Sequence, residues 1–300
     1  MPTHGTIECR QRIGTTLLDV GRLPELPLRS WPVPAPIVLL PPSEGKADGG
    51  TGPPWTPGSI SFPELDASRR KVAAALKRTA KQNVAVNAKL LGVKGDALAA
   101  ARAANRDVLD SPTLPAIERY TGVLYDAFDH ATLPAAQRRR AAAQLAIFSG
   151  LWGVVTPTDL LPDYKLKMGA SLAPMGRLGT FWRPQISAAL APFVEGRTVW
   201  DLLPNEHAAA WQPEAGSLRR RISVRFLDEV PDGGGSKLVA VSHWNKLLKG
   251  ALVRHVLATQ LDDPEGLVEF DHPMGYRYEP GLMTETADGV THVSLVARRA

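Results

Sequence analysis

The run of residues 149–169 constrains the fold more than any other part of this sequence. It follows an apolar stretch, residues 145–148, and mixes Gly, Pro and charged residues with Leu, Trp, Val, Tyr and Met. Gly and Pro at this density are poorly tolerated inside a helix or a strand, whereas a solvated linker would not carry so many large apolar side chains. We therefore expect a long, ordered and packed connection, and connections of this kind are often functional.

Composition and charge argue against a membrane-spanning, secreted or disulfide-bonded protein. The 300 residues, 44% of them hydrophobic, suffice for a substantial core, but no apolar run approaches the length of a membrane span. The single cysteine, Cys9, excludes an internal disulfide and a multi-cysteine metal site. The N-terminus has no basic start followed by an apolar segment, so we expect a cytosolic protein without a membrane partner. The net charge of +5 weakly favours polyanionic partners.

Two regions are predicted along the chain. Residues 1–36 mix charge, Pro and Gly without a clear period, and we expect a poorly ordered extension or a start codon assigned upstream of the true one. Residues 37–300 are expected to form one α/β domain, a sheet with packed helices whose N-terminal half is mostly helical. Helices are predicted over 64–79, 95–108, 117–128, 135–145, 184–194, 206–211 and 245–259, and strands over 37–40, 199–203, 222–226, 238–242, 268–270 and 290–296.

A stretch around residues 84–106 predicts two helices joined by a short glycine-containing turn. Turn glycines let backbone amides approach a phosphate, and the following helix offers its N-terminus to the same anion. Two interpretations stay open, a DNA-binding helix-hairpin-helix element and a helix–turn–helix corner of the core, because Lys94 departs from the usual spacing and Asp96 would repel phosphate. The candidate DNA-binding residues are Leu91, Gly92, Val93, Lys94, Gly95, Lys89 and Arg102.

The motif Ser43-Glu44-Gly45-Lys46 directly follows the first predicted strand. Ligands of open sheets gather beyond the carboxyl ends of strands, so Ser43 and Lys46 are candidates to hold an anion and Glu44 is a candidate base. The alternative is an ordered turn with a solvated lysine. The seven histidines are scattered and form no paired metal-binding motif, so the sequence predicts neither a metal site nor a cofactor.

Six short motifs, which occur in the same order along the chain, resemble those of the YaaA peroxide-stress family. The resemblance spans residues 37–298, so that residues 37–300 are expected to form a YaaA-like domain. It rests on residues 41–46, Tyr120-Thr121-Gly122, residues 149–169, Phe181-Trp182, residues 203–206 and residues 246–250.

The resemblance implies a cytosolic protein of the hydrogen-peroxide response that limits oxidative damage by keeping unincorporated iron low. It also implies DNA binding through the hairpin, directed by DNA shape and backbone and without sequence specificity. The family pattern further suggests that the strand-end motifs converge. The resulting candidate ligand pocket comprises Ser43, Lys46, Ser149, Gly150, Lys165, Asn205, Glu206, Lys246 and Lys249.

An enzyme is the alternative function. Several lysines near one carboxylate suit a phosphate-bearing or carboxylate-bearing ligand, and a desolvated lysine can act as base or nucleophile. The possible substrate class would then be a small anionic, nucleotide-like ligand. The sequence leaves open whether the protein is an enzyme. An enzyme would be favoured over a passive DNA-binding protein if one pocket is lined by Ser43, Lys46, Lys165, Glu206 and Lys246.

Overall fold

The first strand forms where the sequence is wholly apolar. All four residues of Ile37–Leu40 (β1) are buried, as expected for a strand that is covered on both faces. The computed structural model describes residues 34–241, 244–272 and 274–298. The predicted extension therefore lies outside the described residues as far as residue 33, and so does Cys9.

Helices dominate the first half of the described chain, and strands alternate with helices in the second half. The helices are α1 (Asp66–Ala80), α2 (Val84–Leu91), α3 (Gly95–Arg106), α4 (Ala116–Arg119), α5 (Val123–Phe128), α6 (Ala135–Gln144), α7 (Leu178–Val194), α8 (Asn205–Ala208) and α9 (Asn245–Thr259). The further strands are β2 (Thr113–Pro115), β3 (Leu145–Ser149), β4 (Gly153–Val155), β5 (Leu160–Pro162), β6 (Ser171–Leu172), β7 (Gly176–Arg177), β8 (Thr198–Asp201), β9 (Arg220–Asp232), β10 (Gly235–Ala240), β11 (Arg277–Tyr278), β12 (Thr284–Glu285) and β13 (Val290–Arg298).

One main sheet organises the fold, in the strand order β11-β13-β9-β8-β1-β3-β4. The neighbouring strands from β13 through β9, β8 and β1 to β3 pair in parallel. Antiparallel strands β4 and β11 end the sheet, while β10 and β12 pair with β9 and β13. The predicted mixed α/β fold with one main sheet and packed helices is confirmed. Within the described residues, no helix is both long and apolar enough to span a bilayer.

The topology brings three strand ends to one edge of the sheet. Strand β1 pairs in parallel with β3 on one side and with β8 on the other, so Leu40, Ser149 and Asp201 end at the same edge. The chain passes first to β3 and later returns to the opposite side of β1, which makes this position a topological switch point. Crevices at such points are the usual ligand sites of open α/β sheets.

Two predicted elements differ from the structure. The strand expected at 268–270 is wrong, because Pro264–Glu269 forms a 3-10 helix. Asp263 accepts a hydrogen bond from the amide of Glu265 at the start of this helix, and the proline supplies a fixed φ, so local capping outweighs the apolar pattern. The helix expected over 117–128 is divided into α4 and α5, because Gly122 adopts a φ of 102°.

Helix α9 packs closely on α5 through Gly250. A Cβ atom at Gly250 would overlap the carbonyl oxygen of Leu124 and lie 2.8 Å from the Cβ of Ala127. The glycine therefore allows the two helix backbones to approach each other. This contact holds α5 against the helix that carries Lys246 and Lys249.

We predict that Gly250→Ala destabilises the protein by about 1–3 kcal/mol, because overpacking against backbone exceeds the gain in helix propensity. Urea denaturation measures the free energy of unfolding. The control is Gly281→Ala, where the nearest atom to a new Cβ is Glu279 Oε1 at 3.8 Å, so little change is expected. Equal stability of the Gly250 variant and the wild type would contradict the close helix contact.

Candidate functional site

The loop after β1 is fixed to the junction between α4 and α5. The Ala47 amide donates to the Arg119 carbonyl at 2.9 Å, and the Thr121 amide donates to the Gly45 carbonyl at 3.2 Å. A Cβ atom at Gly45 would lie 2.9 Å from the Thr121 hydroxyl oxygen, so glycine permits this approach. Backbone hydrogen bonds to Arg119 and Thr121 thus fix the loop on both sides of Lys46.

The Arg119 guanidinium strengthens the same attachment from inside the protein. It donates to the carbonyl of Leu161 at 3.1 Å and to the carbonyl of Gly49 at 2.7 Å, and it also contacts the carbonyl of Ala47. One buried cation therefore joins the loop after β1 to strand β5. Hydrogen bonds from a charged donor are stronger than neutral ones, so this loop is well anchored.

A chain of hydroxyl groups lies below the loop. The Ser149 hydroxyl is 2.7 Å from the Tyr164 hydroxyl, which is 2.7 Å from the Tyr120 hydroxyl. Ser149 Oγ also accepts the amides of Trp152 at 3.0 Å and Leu151 at 3.3 Å, so its own proton is directed to Tyr164. Burial raises the pKa of Tyr164 to about 12, and both tyrosines are neutral at physiological pH.

Lys46 lies above the two tyrosine rings. Its Nζ is 4.3 Å from the ring centroid of Tyr164 and 5.5 Å from that of Tyr120, and it donates to the carbonyl of Ser43 at 3.0 Å. The ring faces attract the cation but replace its water shell. Burial lowers the pKa of Lys46 to about 8, against a smaller opposing effect of Asp163.

A cavity of about 110 Å³ opens beside Lys46 at the carboxyl edge of the sheet. Five of the nine residues in the predicted pocket line it, namely Ser43, Lys46, Lys165, Glu206 and Lys246. Its other polar lining residues are Glu44, Tyr164, Lys167 and His207. Loops that follow β1 and β8, together with the packed segment after β5, therefore meet at one concave surface.

The remaining four predicted pocket residues are not part of this lining. Ser149 belongs to the hydroxyl chain below the cavity. Gly150 lets residues 166–167 approach, since a Cβ there would lie 2.7 Å from the Leu166 carbonyl oxygen. Lys249 donates to the Leu202 carbonyl at 2.8 Å. Asn205 is exposed in the first turn of the short helix α8.

The cavity carries an excess of positive charge. Four lysines line it, Lys46, Lys165, Lys167 and Lys246, with the two carboxylates Glu44 and Glu206. Glu44 lies 2.9 Å from Lys167 and 3.4 Å from Lys165, and hydrogen bonding to Lys167 is the main cause of its lowered pKa. An anion with two or more charges would complement this arrangement.

Glu206 is held against the end of the long packed segment. A Cβ atom at Gly169 would lie 2.7 Å from Glu206 Oε2, so the glycine lets the carboxylate take this position without moving. Glu206 follows β8, whereas Gly169 ends the run of residues 149–169. Gly169 thus helps to place Glu206 in the cavity wall.

His207 is a cavity residue that sequence reasoning set aside among the scattered histidines. Its side chain is buried, with 5% of the residue exposed, and within the described part of the chain neither ring nitrogen makes a hydrogen bond. The nearest charged group is Glu206, whose Oε1 lies 3.6 Å from Nδ1, beyond hydrogen-bond distance. Burial lowers the pKa of His207 to about 4, so the imidazole is neutral at pH 7. The available sequence signal was its position directly after Asn205-Glu206.

The predicted hairpin is formed by α2, α3 and the residues between them. Gly92 has a φ of 66° and Gly95 a φ of 57°, values that a side chain at either position would strain. Lys94 is the N-cap of α3 and makes no side-chain cap hydrogen bond. Lys94 and Lys89 are exposed, so the turn presents backbone and positive charge together.

Two of the candidate DNA-binding side chains make contacts within the hairpin region. Leu91 is fully buried and packs with Leu98 and Ala101 in a small core between α2 and α3. Arg102 donates to the carbonyls of Ala80 at 3.3 Å and Gln82 at 2.7 Å. Their side chains therefore support the hairpin from within, while Val93 is partly exposed beside the turn glycines.

The hairpin and the cavity are neighbours. The side-chain amide of Asn105, in α3, makes two hydrogen bonds with the backbone of Lys165, both at 2.8 Å. Its Nδ2 donates to the Lys165 carbonyl, and its Oδ1 accepts from the Lys165 backbone N–H. A Cβ atom at Gly92 would lie 4.0 Å from Lys167 Nζ. Among the residues that the structure describes, no group of three or more His, Cys, Asp or Glu side chains is arranged to hold a metal ion.

We predict that His207→Gln reduces the loss of stability on acidification. The unfolded histidine binds a proton near pH 6.5, whereas the folded one binds it near pH 4, so His207 destabilises the fold progressively as pH falls through this window. Replacing the imidazole should reduce the acid-induced loss in the free energy of unfolding by about 1–3 kcal/mol. Urea titrations at pH 7 and pH 4.5 measure this difference.

The control for this variant is His292→Gln. His292 also has a lowered pKa, but it is less buried, so its effect on the acid-dependent decline should be smaller. An identical pH dependence in wild type and His207→Gln would show that the imidazole is solvated in the folded protein.

Comparisons with known proteins identify relatives across most of this chain. The family model described as peroxide stress protein YaaA matches residues 37–282. A UPF0246 protein of Streptomyces coelicolor is 41% identical over 245 residues, which cover 81% of this chain and 92% of the relative. A UPF0246 protein of Corynebacterium glutamicum is 38% identical over 222 residues, which cover 73% of this chain and 83% of the relative. A third, from Roseobacter denitrificans, is 34% identical over 183 residues, covering 59% and 69%. The chain therefore belongs to the YaaA (UPF0246) family of peroxide stress proteins.

Proposed function

We propose that this protein acts in the cytosol during peroxide stress, binds DNA through the sugar-phosphate backbone, and helps to keep free iron low. The family description supports the role in peroxide stress. The DNA-binding part of the proposal rests on one structural observation, the tight turn between α2 and α3 with left-handed glycines at Gly92 and Gly95. The Gly92 amide is used to cap α2, since it donates to the Ala88 carbonyl at 3.0 Å, but the missing Cβ atoms of Gly92 and Gly95 would let a phosphate approach the backbone that leads into α3.

Helix α3 adds its N-terminus to this surface. The amides of a first helical turn lack partners within the helix, and Lys94 supplies no side-chain cap for them. A phosphate at this position would satisfy these donors and interact favourably with the helix dipole. Asp96 in the same turn is exposed and opposes such binding, whereas Lys94 and Lys89 favour it.

The available donors support binding without sequence specificity. Amides and lysine ammonium groups recognise phosphate oxygens, which are the same at every base pair. Lys167 of the neighbouring cavity extends the positive surface beyond the hairpin, since it lies close to Gly92. We therefore expect binding that depends strongly on salt and weakly on base sequence.

We predict that Lys94→Glu lowers the affinity for a fluorescent duplex about tenfold at low salt and reduces the slope of log affinity against log salt by about one to two. Fluorescence anisotropy across a salt series measures both quantities with duplex, bubble and single-stranded DNA. The matched control is Lys237→Glu, at an exposed position of β10. Unchanged affinity in Lys94→Glu, with the fold intact by circular dichroism, would remove the hairpin from the DNA-binding surface.

A second candidate function is binding of, and catalysis on, a small anionic ligand in the cavity. The observation that favours it is the convergence of four lysines, two glutamates and a neutral buried histidine on about 110 Å³. A passive surface would not require an unpartnered buried imidazole, whose desolvation is costly unless a ligand completes its hydrogen bonds.

We predict that Glu44→Gln strengthens anion binding in the cavity. Glu44 neutralises Lys165 and Lys167, so its replacement frees both ammonium groups for a ligand. Because an exposed ion pair contributes about 0.2–1 kcal/mol, the affinity for inorganic phosphate should rise roughly twofold to fivefold. The phosphate-induced rise in Tm reports this change by mass action.

Glu279→Gln is the matched control, because Glu279 pairs with Arg298 rather than with a cavity lysine. Its phosphate response should equal that of the wild type. A phosphate-induced shift that is the same or smaller in Glu44→Gln would count against an anion site between Lys165 and Lys167.

A further inference from the structure

Lys46 differs from two of the other cavity lysines in its surroundings. Lys165 and Lys167 both contact the carboxylate of Glu44, whereas Lys46 donates to the neutral carbonyl of Ser43. The aromatic faces of Tyr120 and Tyr164 occupy the space below its Nζ. Burial among these groups removes water from the ammonium, and this loss outweighs the attraction of the ring faces, so the amine form is more accessible than in an ordinary lysine.

The protonation state follows from this environment. Burial lowers the pKa of Lys46 to about 8. Near neutral pH the free amine is therefore a much larger fraction of Lys46 than of an ordinary lysine. The charged groups that act on Lys46 are Asp163 and Glu44, which favour the ammonium, and Lys165 and Arg119, which favour the amine.

The neighbouring hydroxyl groups do not compete for the Lys46 amine. Tyr164 is occupied on both sides by Ser149 and Tyr120, at 2.7 Å each. One donor position of the Lys46 Nζ is directed to the Ser43 carbonyl, and both residues line the cavity. The nitrogen is thus positioned by neutral groups, and its lone pair remains available to a ligand in the cavity.

From this geometry we propose that Lys46 is a nucleophile that forms a covalent imine with the aldehyde or ketone group of a phosphate-bearing compound. The proposal rests on the second candidate function, ligand binding in the cavity, and is independent of DNA binding. The Nζ lone pair attacks the carbonyl carbon, and the carbonyl oxygen takes up a proton to give a carbinolamine. Loss of that oxygen as water then leaves the carbon–nitrogen double bond, with no net oxidation or reduction.

His207 is the group suited to move the protons in this step. It lines the same cavity, is neutral at pH 7, and both of its ring nitrogens lack hydrogen-bond partners within the described chain. One nitrogen can accept the proton released from the Lys46 amine while the other, as N–H, donates to the departing oxygen. The uncharged imidazole thus supplies an acid and a base at one position.

The remaining cavity residues define the ligand class. Lys165, Lys167 and Lys246 provide positive charge for a phosphate next to the reactive carbonyl. A volume of about 110 Å³ suits a short sugar phosphate, and a whole nucleotide would extend beyond it. The same chemistry has two sources, a free sugar phosphate and the ring-opened deoxyribose of an abasic site in DNA.

Reductive trapping tests the proposal. The full chain is incubated with sodium borohydride and either glyceraldehyde 3-phosphate or a duplex oligonucleotide that contains one abasic site. Borohydride reduces the imine to a stable secondary amine, so the protein gains the mass of the probe less one oxygen atom. We expect peptide mapping to locate this adduct on Lys46. Lys46→Met should lose it, and Lys77→Met, at a lysine paired with Asp110, should retain it.

The two probes separate the possible sources of the ligand. An adduct on Lys46 with glyceraldehyde 3-phosphate supports a free sugar phosphate, and an adduct with the oligonucleotide alone supports a carbonyl within DNA. Excess inorganic phosphate should slow either reaction by occupying the lysine-rich rim. His207→Gln should slow trapping about 100-fold or more at pH 7 while leaving the adduct on Lys46.

The wild-type peptide map keeps the test independent of the folding of any variant. Absence of an adduct on Lys46 with both probes, or labelling spread over exposed lysines while Lys46 is unmodified, would overturn the proposal. Neither result would affect the DNA-binding proposal, because that is measured by anisotropy with intact DNA and the Lys94→Glu variant.

Discussion

The hydroxyl chain from Ser149 through Tyr164 to Tyr120 is the interaction on which the cavity depends. It joins the end of β3, the packed segment after β5 and the end of α4, which are distant in sequence. All three side chains are buried, so loss of one hydroxyl would leave another without its partner at a cost of about 1–3 kcal/mol. The two tyrosine rings of this chain also lie below Lys46, so the same packing that closes the core sets the surroundings of the Lys46 ammonium group.

The family pattern suggested that the strand-end motifs converge, and the strand order supplies the physical reason. Ser43 and Glu206 each come directly after a buried parallel strand, and neighbouring parallel strands end at one edge. The sequence could not decide which lysine of α9 faces the cavity. Lys246 lines it, whereas Lys249, nearly one helical turn later, donates to the Leu202 carbonyl. That choice depends on how the helix is rotated against α5, which Gly250 controls through tertiary contact.

The importance of His207 could not be predicted from the pattern of residues. An imidazole acquires its unusual state from burial without a partner, and burial is a property of the assembled fold. Leu91 is a similar case, because α3 covers its side chain completely and the glycine turn beside it does not reveal that packing. The wrong strand at 268–270 arose in a similar way, since Asp263 and Pro264 start a helical turn that the apolar pattern alone does not reveal.

The proximity of hairpin and cavity has an energetic consequence. Asn105 of α3 holds both backbone groups of Lys165, so the helix that would meet DNA and the segment that lines the cavity form one hydrogen-bonded unit. A ligand that shifts Lys165 must either move α3 or break two hydrogen bonds. Any resulting coupling is reciprocal, because the effect of a cavity ligand on DNA affinity equals the effect of DNA on ligand affinity. If both proposals hold, the two hydrogen bonds between the Asn105 side chain and the Lys165 backbone are the shortest route by which DNA contact and cavity binding would influence each other.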